Sequence, residues 1–283
     1  MRFVKMHGAG NDYVYLDGFE YSLPQNLPDF ARRISDRHTG VGGDGLIVVE
    51  PSWQADAQMR IWNADGSPAE MCGNGLRCVA KLLYDTGHVR SDEIHIATDA
   101  GIRVAWPEVQ NGEVGRVRVS IGEPSLTADH IPTADDLDTL RVDPRIHAVS
   151  AVSMGNPHCV VFTDYLSDEF VSEIGPQLEE HPLFPERTNV EFARVLSPSE
   201  VQVRVWERGV GETQACGTGA CAVGVAGALS GNTERQVRCH LPGGSLDIDW
   251  TEDGEVHLTG PAAEIFRGEW TEARAGVRIA RAA

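Results

Sequence analysis

Met71-Cys72-Gly73-Asn74-Gly75-Leu76-Arg77-Cys78 is echoed by Ala215-Cys216-Gly217-Thr218-Gly219-Ala220-Cys221, with the two first cysteines 144 positions apart. Each stretch is a Cys-Gly-polar-Gly turn that runs straight into an apolar, alanine-containing segment. The same offset recurs along the chain: Arg60-Ile61-Trp62-Asn63 matches Arg204-Val205-Trp206-Glu207, Trp106 matches Trp250, and Ile102 and Val104 fall on Leu246 and Ile248. Gly10-Asn11 matches Gly155-Asn156 at 145, each just ahead of a strand-like run. Several matches in one order at one spacing predict a duplicated domain.

The 283 residues divide accordingly into two units of ordinary domain size. We expect an N-terminal domain over 1–120 and a C-terminal domain over 121–261, with 262–283 returning to complete the first. The acidic, proline-punctuated region from Glu123 to Pro144, carrying Asp129, Asp135, Asp136, Asp138 and Asp143, is the expected connection.

Short segments of period-two patterning dominate both halves. They are Phe3 to Met6, Tyr13 to Leu16, Leu46 to Val49, Met59 to Trp62, Glu93 to Ala97, Ile102 to Trp106 and Val117 to Ile121, then Val201 to Trp206, Val237 to Leu241, Leu246 to Trp250 and Val256 to Leu258. Asp29 to Arg37 reads as an amphipathic helix with Asp29 as its N-cap. Gly40-Val41-Gly42-Gly43-Asp44-Gly45 is not a Walker loop, because no Gly-Lys-Ser/Thr follows.

After Gly75, Leu76, Val79, Ala80, Leu82 and Leu83 keep helical spacing until Gly87. The counterpart after Gly219 is apolar on nearly every side up to Gly231, and such a helix must be enclosed. The fold class is therefore α+β: two pseudo-symmetric domains from an internal duplication, each a curved, mostly antiparallel β-sheet or barrel around a central α-helix.

A formal net charge of −18 argues against nucleic-acid and anionic-membrane partners. The N-terminus lacks the apolar core of a secretory signal, and the uncharged run from Thr213 to Thr233 is too interrupted by glycines and polar residues to be a span. Six cysteines without regular spacing are expected to be reduced thiols of a cytoplasmic protein. No metal is expected, since Cys72 and Cys78 with Cys216 and Cys221 contain no Cys-x2-Cys pair.

Cys72 and Cys216 each precede a helix, next to unsatisfied N–H groups and the positive end of the helix dipole. That setting predicts a lowered thiol pKa and a site for a carboxylate. Two such ends converging on one cleft would hold the α-carboxylate of an amino acid with its Cα between two sulfurs. One cysteine as thiolate would remove the α-proton from one face while the other, as thiol, protonates the opposite face. A pyridoxal route is not favoured: Lys5 lies in the first strand and Lys81 in a helix body, so no cofactor is expected.

Plainer alternatives stand beside these. Cys78, Cys159, Cys221 and Cys239 read as small buried apolar residues. His158 in Asn156-Pro157-His158 suits a turn, and Glu207 with Arg208 suits a solvated pair after a strand.

Met6-His7-Gly8-x-Gly10-Asn11-Asp12, Asn63-Ala64-Asp65-Gly66-Ser67, the Cys72 motif, Met154-Gly155-Asn156-Pro157-His158-Cys159-Val160, and Glu207-Arg208-Gly209-x-Gly211-Glu212-Thr213 running into the Cys216 motif together resemble the diaminopimelate epimerases. The likeness runs from about Phe3 to about Gly260 and keeps the family order. It implies cofactor-independent inversion of LL-diaminopimelate to the meso form in lysine and peptidoglycan-precursor synthesis, by a homodimer. By the same resemblance Cys72 and Cys216 are the acid/base pair, supported by His158 and Glu207. Asn11, Asn63, Gly73, Asn74, Asn156, Asn189, Glu207, Arg208, Gly217 and Thr218 would bind substrate. Arg208 suits a bidentate hold on the far carboxylate.

Two positions depart from the pattern. Gly45 stands where some members have a substrate-contacting glutamine, and Thr218 stands where many have serine. The alternatives are a proline-racemase-like enzyme, which typically has histidine where this chain has Asn74, and a thiol-redox or metal-binding protein without turnover.

Overall fold

The computed structural model describes residues 1–69, 72–127, 129, 131–137, 140 and 142–271. The first half contains β1 (Arg2–Gly8), β2 (Asn11–Asp17), α1 (Leu27–Ser35), β3 (Gly45–Glu50), β4 (Ala57–Asn63), β5 (Pro68–Ala69), α2 (Gly73–Thr86), β6 (Ile94–Thr98), β7 (Gly101–Gln110) and β8 (Glu113–Gly122). A short helix, α3 (Ala134–Leu137), lies in the connection. The second half repeats the order with β9 (Ile146–Ser153), β10 (Pro157–Thr163), α4 (Asp168–Glu179), β11 (Asn189–Ser197), β12 (Glu200–Glu207), β13 (Gly211–Thr213), α5 (Gly217–Leu229), β14 (Gln236–Leu241), β15 (Gly244–Trp250) and β16 (Val256–Pro261). A last strand, β17 (Ala263–Glu269), follows.

The duplication is exact in connectivity. In the first half β1–β2 is antiparallel, β2–β3 parallel, β3–β4 antiparallel, β4–β6 parallel, and β6–β7–β8 antiparallel. In the second, β9–β10, β10–β11, β11–β12, β12–β14 and β14–β15–β16 repeat those senses in turn. Each half wraps its strands around one helix, α2 packing on β8, β7 and β1, and α5 on β15, β11 and β9. This is the expected α+β architecture.

The halves are joined edge to edge. β8 pairs antiparallel with β16, Val119 opposite Leu258, and the chain after each of these strands crosses to the other half. After β8, Ser125 bridges to Ser153 of β9; after β16, β17 pairs with β1 from Arg2↔Glu269 to His7↔Ala263. The part of the expected returning segment beyond 271 lies outside the described residues, as does Asp138 of the connection.

One local expectation is corrected. Helix α1 is capped by Asn26, whose side chain accepts the Asp29 N–H at 3.2 Å, not by Asp29. Pro28 falls in the first turn, where a missing N–H costs nothing, so the helix starts earlier. Helix α4 and strand β11 were not anticipated; Ser167 caps α4 by accepting from Phe170. The Gly87 stop of α2 is as expected, with φ 82° in the left-handed region.

Helix α5 explains its uniform apolarity by burial from Ala220 to Gly227. A Cβ at Gly224 would lie 2.8 Å from Ile248 Cγ2, so the absence of a side chain sets how closely β15 approaches. Cys78, Cys159, Cys221 and Cys239 are fully buried, the plainer of the roles open to them.

Candidate active site

Cys72 and Cys216 occupy the same structural position, the N-cap of α2 and of α5. Both have extended backbone, φ/ψ −142°/111° and −114°/118°, and each Sγ accepts the N–H three residues on, from Gly75 at 3.3 Å and from Gly219 at 3.4 Å. A thiol therefore does the work of the usual Ser or Asp cap. The other N–H groups of each first turn have no intrahelical partner and suit an anion.

The two helix starts touch. Asn74 Nδ2 donates to the Ala215 carbonyl at 3.4 Å, and a Cβ built on Gly217 would stand 3.6 Å from Asn74 Oδ1 and 3.9 Å from Gly73 Cα. The pseudo-symmetry extends to the floor: Ile121 of β8 underlies Gly73, and Leu258 of β16 underlies Gly217. The linked strands β8 and β16 thus bring the two caps together.

Around Cys72 the structure gathers Asn11, Asn74 and Tyr13. The Cys72 thiol donates to Asn11 Oδ1 at 3.3 Å, which also receives Asn74 Nδ2 at 3.4 Å. Asn11 Nδ2 in turn donates to Asp44 at 2.6 Å. Asn63 lies on β4 directly opposite Gly45, with its Nδ2 donating to Ser67 Oγ at 3.0 Å.

Around Cys216 the company is different. Thr218 Oγ1 lies 3.5 Å from its sulfur. His158 is fully buried, with Nδ1 2.8 Å from Glu191 Oε1 and Nε2 3.0 Å from Asn156 Oδ1. Glu191 presses under the start of α5, where a Cβ at Gly219 would fall 2.5 Å from Glu191 Oε1. Glu207 accepts the Thr213 hydroxyl at 2.5 Å; burial pushes its carboxyl pKa up, the Thr213 bond opposes this, and the charge of Glu191 adds to it. Asn189 holds this wall in place, donating to the Pro157 carbonyl at 3.0 Å and accepting the Arg208 N–H at 3.0 Å. The Arg208 guanidinium donates to the Glu186 carbonyl at 3.0 Å.

Helix starts alone predict lowered thiol pKa values, but burial reverses the sign. Loss of solvation pushes Cys72 up, with the Gly75 N–H, Tyr13 and Arg77 opposing it. The same loss pushes Cys216 up well above the ordinary value, and there Glu207 and Glu191 add to it. Two backbone donors do not outweigh the removal of a sulfur anion from water.

Sequence reasoning missed Tyr13, Asp44 and Glu191. Glu191 left a signal: on β11 it alternates with the buried Val190 and Phe192, so it shares the face of Asn189. The two lysines are engaged elsewhere, Lys5 with Asp12 at 2.5 Å and the Gly42 carbonyl, Lys81 with Asp85 at 2.6 Å and the Val114 carbonyl at 2.7 Å.

Gly45 has a structural reason. It pairs across to both Tyr13 and Asn63, and a Cβ there would be driven into the Trp62 carbonyl. Gly45→Gln is therefore expected to destabilise the protein by about 1–3 kcal/mol, the usual cost of overpacking, without improving turnover. Denaturant unfolding and steady-state kinetics check this; an unchanged midpoint with a lowered KM would refute it.

The sequence profile described as diaminopimelate epimerase matches residues 3–127 and 150–265. A diaminopimelate epimerase of Desulfitobacterium hafniense is 52% identical over 277 residues, covering 95% of this chain and 97% of its own. Another, from Desulforudis audaxviator, is 51% identical over 280 residues, covering 96% and 100%. Among solved structures, a phenazine biosynthesis protein of the PhzF family from Bacillus anthracis superposes with a TM-score of 0.70 at 14% identity, over 96% of this chain and 99% of that one. A probable proline racemase from Agrobacterium radiobacter gives 0.67 at 14%, over 96% and 93%. At such identities these two likenesses speak to the fold alone.

Proposed function

The chain belongs to the diaminopimelate epimerase family, and from that premise we propose that it interconverts LL- and meso-diaminopimelate by cofactor-independent proton exchange at Cα between Cys72 and Cys216. The observation that carries the residue assignment is the equivalence of the two sulfurs: each caps the central helix of its own half, and the two caps meet at the Asn74–Ala215 hydrogen bond.

The substrate α-carboxylate lies across the two helix starts, received by the N–H groups beginning at Gly73-Asn74 and Gly217-Thr218. One sulfur as thiolate takes the α-proton; the negative charge that develops on the carboxylate is met by the same N–H groups, and the other thiol delivers its proton to the opposite face. His158, paired with Glu191, and Glu207 assist the thiols in moving the proton. Asn11, Asn63, Asn156, Asn189 and Arg208 hold the far end of the substrate, its carboxylate on the Arg208 guanidinium.

The domain division that goes with this reading is 1–120, completed by the strand from 262 onward, and 121–261. The duplicated connectivity and the β1–β17 pairing support it. Six unpaired thiols support a reducing, cytoplasmic setting, and a homodimer is the family expectation. Membrane insertion by helices has no support, since among the described residues no helix is long and apolar enough to cross a bilayer.

Incubation of the reduced protein with LL-diaminopimelate in heavy water, followed by NMR, tests the proposal. The meso isomer carrying deuterium at one Cα is expected without added cofactor. Exchange with proline but not with diaminopimelate would move the assignment to a racemase.

A further inference from the structure

The two halves are alike in connectivity yet opposite in buried charge. At the 144-residue offset, Arg77 of α2 corresponds to Cys221 of α5, Ile47 of β3 to Glu191 of β11, and Asn63 of β4 to Glu207 of β12. The match is spatial as well: Ile47 Cδ1 lies under Gly75 where Glu191 Oε1 lies under Gly219, each 2.5 Å from a Cβ built on the glycine. One cap therefore sits over a cation, the other over two carboxylates.

Arg77 is wholly buried, and its guanidinium is held by oxygens that carry no full charge. Nη1 donates to the Gly73 carbonyl at 3.2 Å, Nη2 to Asn74 Oδ1 at 2.8 Å, and Nε to the Pro261 carbonyl at 3.2 Å. Among the described residues no carboxylate ion-pairs with it. Gly8 of β1 and Gly260 of β16 flank it; a Cβ on either would approach within 3.0 Å and 3.1 Å of its nitrogens. A buried cation without a counter-ion is costly, so this arrangement calls for a compensating negative charge nearby.

We propose that Arg77 is a positioning residue for the reaction: it clamps Asn74 at the mouth of α2 and, having no counterpart in the second half, gives Cys72 rather than Cys216 the negative charge of the resting pair. This rests on the two-thiol epimerase reading above. The Asn74 clamp acts on both sides of the cleft, because the same amide whose oxygen is fixed by Arg77 donates through its nitrogen to Asn11 and to Ala215.

The groups facing Cys72 are Tyr13 and Tyr15 from β2, Cys78 and Arg77 from α2, and Asn11, which is bonded to Asp44. The Asp44 charge is itself countered by Arg37 at 2.9 Å. Those facing Cys216 are Glu207 from β12 and Glu191 from β11, with His158 of β10 paired to Glu191. When Cys72 takes the α-proton it becomes neutral, while Cys216 gives up its proton and becomes the thiolate beside two carboxylates. Product therefore leaves the charge on the less favoured sulfur, and the proton must pass back before the next turnover in the same direction.

The test is the pH dependence of alkylation of each thiol by iodoacetamide in the full-length protein, read by peptide mass spectrometry. Midpoints rather than rates are compared, so that unequal access does not decide the result. The Cys72 midpoint is expected below that of Cys216 by one to three units, the usual effect of a neighbouring opposite charge. In Arg77→Met it should rise by at least about one unit, and Arg77→Lys should restore most of the difference.

Equal or reversed midpoints in the unaltered protein would overturn the proposal, even if Arg77→Met does not fold. So would an Arg77→Met midpoint that stays where it was. Deuterium exchange into diaminopimelate by the unaltered protein is measured alongside. Its absence would remove the epimerase assignment while leaving the thiol midpoints to report on Arg77.

Discussion

Replacing either Cys72 or Cys216 with alanine is expected to lower epimerisation by about a thousandfold or more, the upper part of the range for loss of one positioned acid or base. The effect should fall on kcat with little change in KM, because a sulfur that moves a proton acts at the transition state while the helix N–H groups that hold the carboxylate remain. The two single variants should be nearly as inactive as the double, since inversion needs both sulfurs in one event. The same kinetics in Cys78→Ala and Cys221→Ala provide the contrast: these thiols sit one turn into their helices, are fully buried, and should cost stability more than rate. A Cys72→Ala or Cys216→Ala protein that keeps a tenth of the rate would end the two-thiol assignment.

The second large effect is on stability at high pH. Cys78 is pushed up to about 11 and Cys239 to about 12 by burial, and Cys159 and Cys221 are pushed higher still by the same cause. An unfolded cysteine ionises near pH ~8.5, so above that value the unfolded chain holds fewer protons than the folded one and stability falls as pH rises. The stabilisation is whole below pH ~8.5 and is lost progressively towards the folded values. Each thiol costs about 1.4 kcal/mol per pH unit in that window, and four together roughly 5–6, comparable with the whole stability of an ordinary domain, about 5–15 kcal/mol. The melting temperature should therefore drop steeply between about pH 8.5 and 10 in the presence of reductant, and Cys239→Ala should flatten the slope. A melting temperature constant to a few degrees over that interval would contradict the burial.

Much of this was legible in the chain because a duplication is a comparison the sequence makes with itself. The Cys72 and Cys216 motifs, the tryptophans at one offset and the glycine stop of α2 all come from residues whose local roles are strong. The residues that escaped are those whose meaning depends on the other side of a packed surface. Glu191 is an acid on a strand, and only the glycine above it and the histidine beside it make it a buried partner rather than a solvated one. Arg77 is a helical arginine, ordinarily exposed, which the Gly8 and Gly260 backbones enclose from opposite halves. Gly45 reads as a lost contact until the Trp62 carbonyl is seen to fill the space. Helix α4 escaped because its counterpart α1 is three residues shorter and Pro176 interrupts its pattern.

The pairing of β1 with β17 has a consequence for how the protein is made. Strand β1 must wait for β17, some 260 residues later in the chain, before that edge of the first sheet is closed. Until then its backbone N–H and C=O groups, and the hydrophobic side chains of Phe3 and Val4, face whatever is nearby. Contacts this remote in sequence form slowly, so the nascent first half is the stage at which chaperone binding or misassembly between neighbouring chains is most open. A rearranged chain in which the segment carrying β17 is made ahead of β1 would remove that wait during synthesis.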